Sequence, residues 1–197
     1  MKQGHVSKQD FVLENEIRKR LTPARFCHVL AVRDCAVRLA GRHGGSKEEA
    51  ELAGILHDYA RDLPEAELLR LGEEEGLITC EVERQVPLLL HGPVGARLVR
   101  RELGINDPRV LEAISLHTLG SPGMGRLAKI IYIADMIAEG RSFPGLAELR
   151  RKAFESLPEA LLLGFASTIR YCLESGRLIH PQTIAAWNYF LREGKEF

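Results

Sequence analysis

An all-α fold is what this chain predicts, on three observations. Apolar residues recur at helical spacing along most of its length, while alternating β-branched runs are nearly absent. Helix punctuation is frequent: Thr22-Pro23, Ser46 with Glu49 three residues on, Gly92-Pro93 and Asp107-Pro108 all read as helix starts. The composition, 45% hydrophobic and 27% charged over 197 residues, is that of an ordinary globular domain, which excludes disordered and fibrous classes.

The elements follow in order. Thr22 caps a helix that has Pro23 at its first position, runs to about His43 and stops at Gly44-Gly45. Ser46 and Glu49 form a capping box for the next, extending to about Ala60. Pro64 opens a helix ending near Gly76, Gly92-Pro93 one ending near Gly104, and Asp107-Pro108 one ending near His117. Residues 118–125, bearing glycine and proline, form a loop. A long helix covers about 126–138, and two more run from about Pro158 to Ser175 and from Pro181 to Arg192. No internal repeat, low-complexity tract or linker interrupts this series. A single compact helical domain over residues 22–197 is expected, preceded by a helical extension over residues 1–21. Trp187, Tyr189 and Phe190 form an apolar cluster expected to pack on the core, a homodimer contact being the alternative. The segment 41–47 (GRHGGSK) resembles a phosphate loop only superficially: no strand precedes it and its glycine–lysine spacing is wrong, so it reads as a helix stop and restart.

Charge and thiols narrow the function. The 27 basic side chains balance 27 acidic ones, whereas nucleic-acid binders usually carry a basic excess, so no nucleic-acid partner is expected. No run approaches the roughly 18 apolar residues of a membrane span, and residues 1–10 are polar, without a signal core. Cys27, Cys35, Cys80 and Cys172 lack zinc-type spacing, and three of them sit in apolar helical patterns. Reduced, buried thiols of a cytoplasmic protein are the expectation.

The sharpest chemical feature is His57-Asp58, inside Leu52-Ala53-Gly54-Ile55-Leu56-His57-Asp58-Tyr59-Ala60. Leu52, Ile55, Leu56 and Tyr59 make one apolar stripe, and Ala50, Ala53 and Gly54 make a small-residue face that admits another helix. A carboxylate in so apolar a segment is costly without a cationic partner. Adjacent helical residues point roughly 100° apart, so the two side chains cannot pair along a stripe but can converge on an ion lying between them, the alternative being a structural histidine and a capping aspartate. Asp135 is the only charge in residues 130–138, and His28 and His117 each share a stripe with apolar residues. One such histidine is ordinarily a satisfied core residue. A His-Asp pair, two inward histidines and an inward aspartate on separate helices instead make an imidazole–carboxylate ligand set for manganese, iron, cobalt or zinc. His91 stands at a helix mouth, in reach of a metal or an anion, whereas His5 and His43 read as exposed.

In chain order these residues are His28, His57-Asp58, His91, His117 and Asp135, an H…HD…H…H…D series that resembles the HD-domain phosphohydrolases. The resemblance is closer still to the YqeK family of bacterial symmetrical bis(5'-nucleosyl)-tetraphosphatases. It rests on Ala53-Gly54-Ile55-Leu56-His57-Asp58 with Leu63-Pro64, Leu90-His91-Gly92-Pro93-Val94-Gly95-Ala96, and Ala113-Ile114 before His117-Thr118. Met124, Ile131-Tyr132-Ile133-Ala134-Asp135, Arg141 and Leu178-Ile179-His180-Pro181 complete it, from Thr22 to about Asn188. The resemblance implies an HD helical fold that binds iron or a similar metal and hydrolyses diadenosine tetraphosphate to two ADP. It implies His28, His57, Asp58 and Asp135 as metal ligands, with His91, His117 and Thr118 around a second metal or the phosphates. It further implies nucleotide contacts from Arg141 and from Leu178, Ile179, His180, Pro181, Gln182 and Thr183. Two departures stand out: Arg61 occupies the place of an expected lysine, and Ala138-Glu139 the place of an expected Glu-Pro.

A mechanism follows from such a set. Metal-bound water is acidic enough to supply hydroxide near neutral pH, and two metals bridged by Asp58 could also clamp the phosphoryl oxygens. Arg61 and Arg141 are the candidates for offsetting the charge of the dinucleoside polyphosphate, while Lys129 reads as a solvated helix face. The expected catalytic set is Asp58, Arg61, His91 and His117, with His28 also placed against the substrate. Rival readings are an HD phosphohydrolase for another nucleotide, a nucleotide-sensing module without turnover, or a purely structural helical protein.

Overall fold

The computed structural model describes residues 8–193, with side chains from Leu13 onward. Its regular elements are α1 (Lys8–Arg20), α2 (Pro23–His43), α3 (Lys47–Leu56), α4 (Glu65–Glu74), α5 (Glu81–Gln85), α6 (His91–Leu103), α7 (Pro108–Leu116), α8 (Arg126–Ile137), α9 (Leu146–Glu155), α10 (Leu157–Glu174) and α11 (Pro181–Glu193). A 3-10 turn at Pro87–Leu90 precedes α6. The all-α class expected from periodicity is the class observed.

Local chemistry sets most of the boundaries. The Thr22 side chain accepts from the Arg25 N–H, Pro23 fills the first position, and Gly44 closes α2 in the left-handed region at φ 67°. Ser46 accepts from the Glu49 N–H, and Asp107 from the N–H groups of Arg109 and Val110. Residues 41–47 are thus a helix stop and restart. The next helix ends at Leu56 rather than near Ala60. Beyond it the N–H groups of Tyr59, Arg61 and Leu63 each bond a carbonyl three residues back, so the chain winds in tight turns that carry His57 and Asp58 outside regular helix. The α5 segment and its 3-10 turn, and α9, are additions to the expected series. Only five residues make up α5, and α9 starts at Gly145 with no side-chain cap.

Packing places the site. Helix α2 lies against α3 and α8, and α3 also meets α7. Val29, Val32, Ala36 and Leu39 of α2 are fully buried against Ala50 and Ala53 of α3 and Ile130, Ile131 and Ile133 of α8. Burying each large aliphatic side chain contributes about 1.5–3 kcal/mol. A Cβ on Gly54 would lie 2.7 Å from the Arg33 Cα, so α3 meets α2 at backbone contact, as its small-residue face requires. A Cβ on Gly92 would lie 2.7 Å from the Ser115 carbonyl oxygen, so the start of α6 presses on the end of α7. From α1, Ile17 and then Leu21 reach the common core. Arg20 donates to the Tyr59 carbonyl at 2.8 Å and lies 4.0 Å over the Tyr59 ring, bracing the turns after α3.

Several surface readings change. All four cysteines are free, but only Cys35 is buried. Cys27 is exposed because it falls on the face of α2 that borders a cavity. His43 is half-buried and meets the Ala153 carbonyl at 2.7 Å, and Lys129 sits 4.9 Å from the Phe190 ring rather than in bulk solvent. His5 lies outside the described residues. Phe190 stacks on Phe165, which puts the C-terminal aromatic cluster on the core. No helix among the described residues is long and apolar enough to cross a membrane.

Candidate metal centre

The structure brings His28, His57, Asp58, His91, His117 and Asp135 together from α2, the turns after α3, the start of α6, the end of α7, and α8. Asp58 is the centre. Its Oδ2 lies 3.3 Å from His57 Nε2 and 3.9 Å from His28 Nε2. Its Oδ1 lies 3.2 Å from His91 Nε2 and 3.6 Å from His117 Nε2. Asp135 Oδ1 is 2.9 Å from His28 Nε2 and 4.0 Å from His57 Nε2. One carboxylate therefore faces two half-sites: His28, His57 and Asp135 on one oxygen, His91 and His117 on the other.

The imidazoles are aimed by backbone carbonyls. His57 Nδ1 is 2.7 Å from the Gly54 oxygen, His91 Nδ1 2.5 Å from Leu88, and His117 Nδ1 2.8 Å from Ile114. A carbonyl can only accept, so each Nδ1 keeps its proton and each Nε2 turns a lone pair inward. The pairs in the second half-site meet head on, His91 Nε2 lying 2.9 Å from His117 Nε2. The buried His57 Nε2 has no hydrogen-bond partner at all. Buried acceptors facing acceptors are unfavourable until a cation enters. Imidazole nitrogens and carboxylate oxygens suit a divalent transition metal, and the residues present fit one.

Electrostatics agrees. Burial alone would push the Asp58 carboxyl up, but the imidazoles of His57, His117 and His91 hold it well below the usual range. Asp135 is likewise held low against its burial, by the His28 hydrogen bond and by His57 and Arg141. Burial opposes the charged form of His57, yet Asp58 and Asp135 raise it above its ordinary value. His117 moves the other way, depressed by burial and by the neighbouring His91 and His57.

Two cavities adjoin the cluster. A polar one of about 580 Å³ is lined by Thr22, Arg25, Cys27, His28, Asp62 and Arg141, among others. Arg141 donates from Nε to the Asp135 carbonyl at 2.9 Å and from a terminal nitrogen to the Asp135 carboxylate. A more apolar one of about 320 Å³ is walled by Thr118, Leu178, Ile179, His180 and Thr183. Thr118 joins it to the cluster, its Oγ1 lying 3.3 Å from His91 Nε2 and 3.2 Å from His117 Nε2. Gln182 donates to the Gly120 carbonyl and Thr183 to that of Leu119, so α11 grips the Thr118 loop, while Pro181 opens α11. His180 has both nitrogens engaged: Nδ1 accepts from the Gln182 N–H, and Nε2 faces Glu83 and Cys80.

Arg61 makes none of the contacts to these carboxylates. The guanidinium on Asp58 is that of Arg25, whose terminal nitrogen lies 3.0 Å from Oδ2. The sequence reading passed over Arg25, although it stands three residues before His28 and so one helical turn away on the same face. Ala138 is buried at the end of α8, and Arg150 bonds the Ile137 and Ala138 carbonyls, fixing the turn that leads to Arg141.

The HD domain family model matches residues 25–140. The chain is similar to "Bis(5'-nucleosyl)-tetraphosphatase, symmetrical" of Bacillus subtilis, at 37% identity over 175 residues, 89% of this chain and 94% of the relative. It is also similar to the protein of the same name from Halalkalibacterium halodurans, at 38% identity over 179 residues, 91% of this chain and 95% of the relative. Among solved structures it resembles a "predicted HD superfamily hydrolase involved in NAD metabolism" from Clostridium acetobutylicum. There the TM-score is 0.89 at 40% identity, covering 93% of this chain and 97% of that one.

Proposed function

This chain belongs to the HD domain family, and we propose that it is a metal-dependent hydrolase that cleaves diadenosine tetraphosphate symmetrically into two molecules of ADP. The relatives named for that activity supply the substrate class, since they align along nearly all of the chain. The observation that carries the chemistry is the inward set of lone pairs around Asp58, with His57 Nε2 unpartnered and His91 facing His117.

His28, His57, Asp58 and Asp135 would hold one divalent ion, and Asp58 with His91 and His117 would hold a second ion or meet the phosphates directly. Iron is the proposed metal, with manganese, cobalt and zinc as ions that the same ligands accept. When bound, the metal supplies Lewis acidity, which stabilises charge on the phosphoryl oxygens and makes a water acidic enough to attack near neutral pH.

The chain's own residues do the rest. The carbonyls of Gly54, Leu88 and Ile114 engage Nδ1 of His57, His91 and His117, so that each neutral ring presents its Nε2 lone pair to a cation. Asp58 and Asp135 remain ionised through the physiological range because their neighbours hold them low. Thr118 stands between the histidine pair and the apolar cavity, placed to steer a phosphate that continues into a nucleoside held against Leu178, Ile179 and Thr183. Arg141 brings positive charge to the polar cavity, and Arg61, partly exposed within the turns after α3, is a further candidate for the phosphates. In-line attack of water at a phosphorus beside the central bridging oxygen expels one ADP and leaves the other, so one water is consumed and no covalent enzyme intermediate is needed. A cytoplasmic, small-molecule role without nucleic-acid or membrane partners goes with this reading, supported by four free thiols and a balanced charge.

The test is product identification on diadenosine tetraphosphate with the purified protein and Fe²⁺ or Mn²⁺. ADP alone is expected, and a chelator should stop turnover until metal is restored. AMP with ATP would overturn the symmetrical cleavage, and undiminished turnover in chelator would overturn the metal.

A further inference from the structure

Two guanidiniums occupy the carboxylate oxygens that the ligand cluster needs. Asp58 Oδ2, the oxygen facing His57 and His28, takes Arg25 at 3.0 Å. Asp135 Oδ1, the oxygen facing His28 and His57, takes Arg141. Neither arginine is locked in the interior: their side chains are 25% and 38% exposed, and both line the 580 Å³ polar cavity beside His28. A metal bound between those oxygens would bring a second cation within a few ångströms of each guanidinium, and the buried carboxylates cannot compensate both equally.

We propose that Arg25 and Arg141 act as internal counter-cations of the Asp58 and Asp135 carboxylates and that a metal held by those carboxylates would release both guanidiniums to the polar cavity, where they would take the polyphosphate. This rests on the functional reading above and assigns a role to Arg25. Without metal, the pairing spares Asp58 and Asp135 the cost of burial as uncompensated charges. With metal, the freed guanidiniums meet an anion in a cavity whose other charged walls, Asp62 and Glu139, repel it. Asp62 accepts from the Thr22 N–H, so the two arginines are the cationic side chains of the lining that an anion can meet. The planar, permanently charged fork of Arg suits both partners, carboxylate first and phosphate second. The device makes binding ordered: metal first, nucleotide second.

The experiment is calorimetric titration of Mn²⁺ alone into wild type, Arg25→Ala and Arg25→Gln, followed by ADP at saturating Mn²⁺. Removing a competitor cation predicts Mn²⁺ binding tighter by about tenfold and ADP binding weaker by about tenfold. The metal-induced rise in Tm should also be larger in the variants than in wild type, because the apo form has lost its counter-cation. Arg25→Gln removes the charge but keeps the methylene stem and an N–H donor on a shorter side chain, so it serves as the folded comparison if Arg25→Ala does not fold. A merely supporting arginine would weaken Mn²⁺ when removed. That result, or unchanged affinities for Mn²⁺ or ADP, overturns the exchange. Wild type that takes up no Mn²⁺ would sink the metal reading itself, whereas wild type that binds it with indifferent variants sinks only the role of Arg25.

Discussion

Two clusters among the described residues combine histidine with carboxylate, one around Asp58 and one around Glu83, and composition alone does not tell them apart. The first is built of three overlapping triads and the second is one triad, the donor atoms of each triad lying within 4.8 Å of one another. The difference lies in which ring nitrogen is already engaged. In the first, His57, His91 and His117 spend Nδ1 on carbonyl oxygens and offer Nε2 lone pairs to one another and to Asp58. In the second, His180 Nδ1 accepts from the Gln182 N–H, so the neutral ring carries its proton on Nε2, which lies 3.3 Å from both Cys80 Sγ and Glu83 Oε1. Glu83 is satisfied on its other oxygen by the N–H groups of Thr79 and Cys80 and by the Thr79 hydroxyl. The first cluster leaves His57 Nε2 without a partner and sets His91 Nε2 against His117 Nε2, whereas in the second both ring nitrogens have partners. A backbone contact on the far side of each ring thus separates a metal centre from a staple that pins the start of α11 to α5.

The comparison is broken most severely at Asp58. Asp58→Ala removes the carboxylate shared by both half-sites and should cut turnover by more than about 100-fold, beyond what losing an outer-sphere contact costs. Metal content by elemental analysis should fall with it while the helical circular dichroism is kept. A variant that retained metal and turnover would take Asp58 out of the centre. Next in size is Gly92→Ala. Its Cβ would press on the Ser115 and Ile114 carbonyls at 2.7 and 3.1 Å, forcing α6 off α7 and separating His91 from His117. Overpacking of this kind costs about 1–3 kcal/mol, so a lower Tm is expected together with a fall in bound metal or in kcat. Loss of stability with metal and kcat intact would mean that the His91–His117 half-site is dispensable.

The staple should behave differently. His180→Ala leaves buried Glu83 short of a donor and the N-terminus of α11 without its cap, worth about 1–3 kcal/mol of stability. Metal content should be unchanged, and KM should rise more than kcat falls, because Leu178, Ile179 and Thr183 wall the apolar cavity beside Thr118. Loss of metal from this variant would erase the distinction between the clusters.

How much of this was legible in the sequence depended on whether a residue announces itself locally. Thr22-Pro23, Ser46 and Asp107-Pro108 were readable because caps act within three residues of themselves. The end of α3 was not, because the pattern Leu52, Ile55, Leu56, Tyr59 continues through the tight turns that present His57 and Asp58. The ligand residues stood out as polar groups where an apolar stripe should contain none. Arg25 carried no such signal: an arginine near a helix start looks solvated, and only the fold brings Asp58 within its reach. The staple was hidden for the same reason, since Glu83 and His180 lie far apart in the chain and α5 is too short to show a period.

The finest test uses the thiols, which sample the surroundings of the first cluster without touching its ligands. Cys27 is exposed on the wall of the polar cavity next to His28, whereas Cys35, two turns further along α2, is buried and its thiol is pushed up to about 11 by that burial. A thiol that high is almost wholly protonated at neutral pH, and the protonated form does not attack alkylating reagents. Mass spectrometry after brief iodoacetamide treatment at pH 7.5 should therefore find Cys27 modified and Cys35 untouched until the protein is unfolded. Adding ADP with Mn²⁺ should slow Cys27 several-fold, by about the factor expected when a ligand covers most of its cavity wall, and leave the Cys80 rate beside the staple unchanged. Cys27 reacting equally fast with and without nucleotide would place the polyphosphate elsewhere. Protection of Cys172 alone, which lines the apolar cavity, would move it to that side, where Thr118 rather than the arginines would be its principal contact.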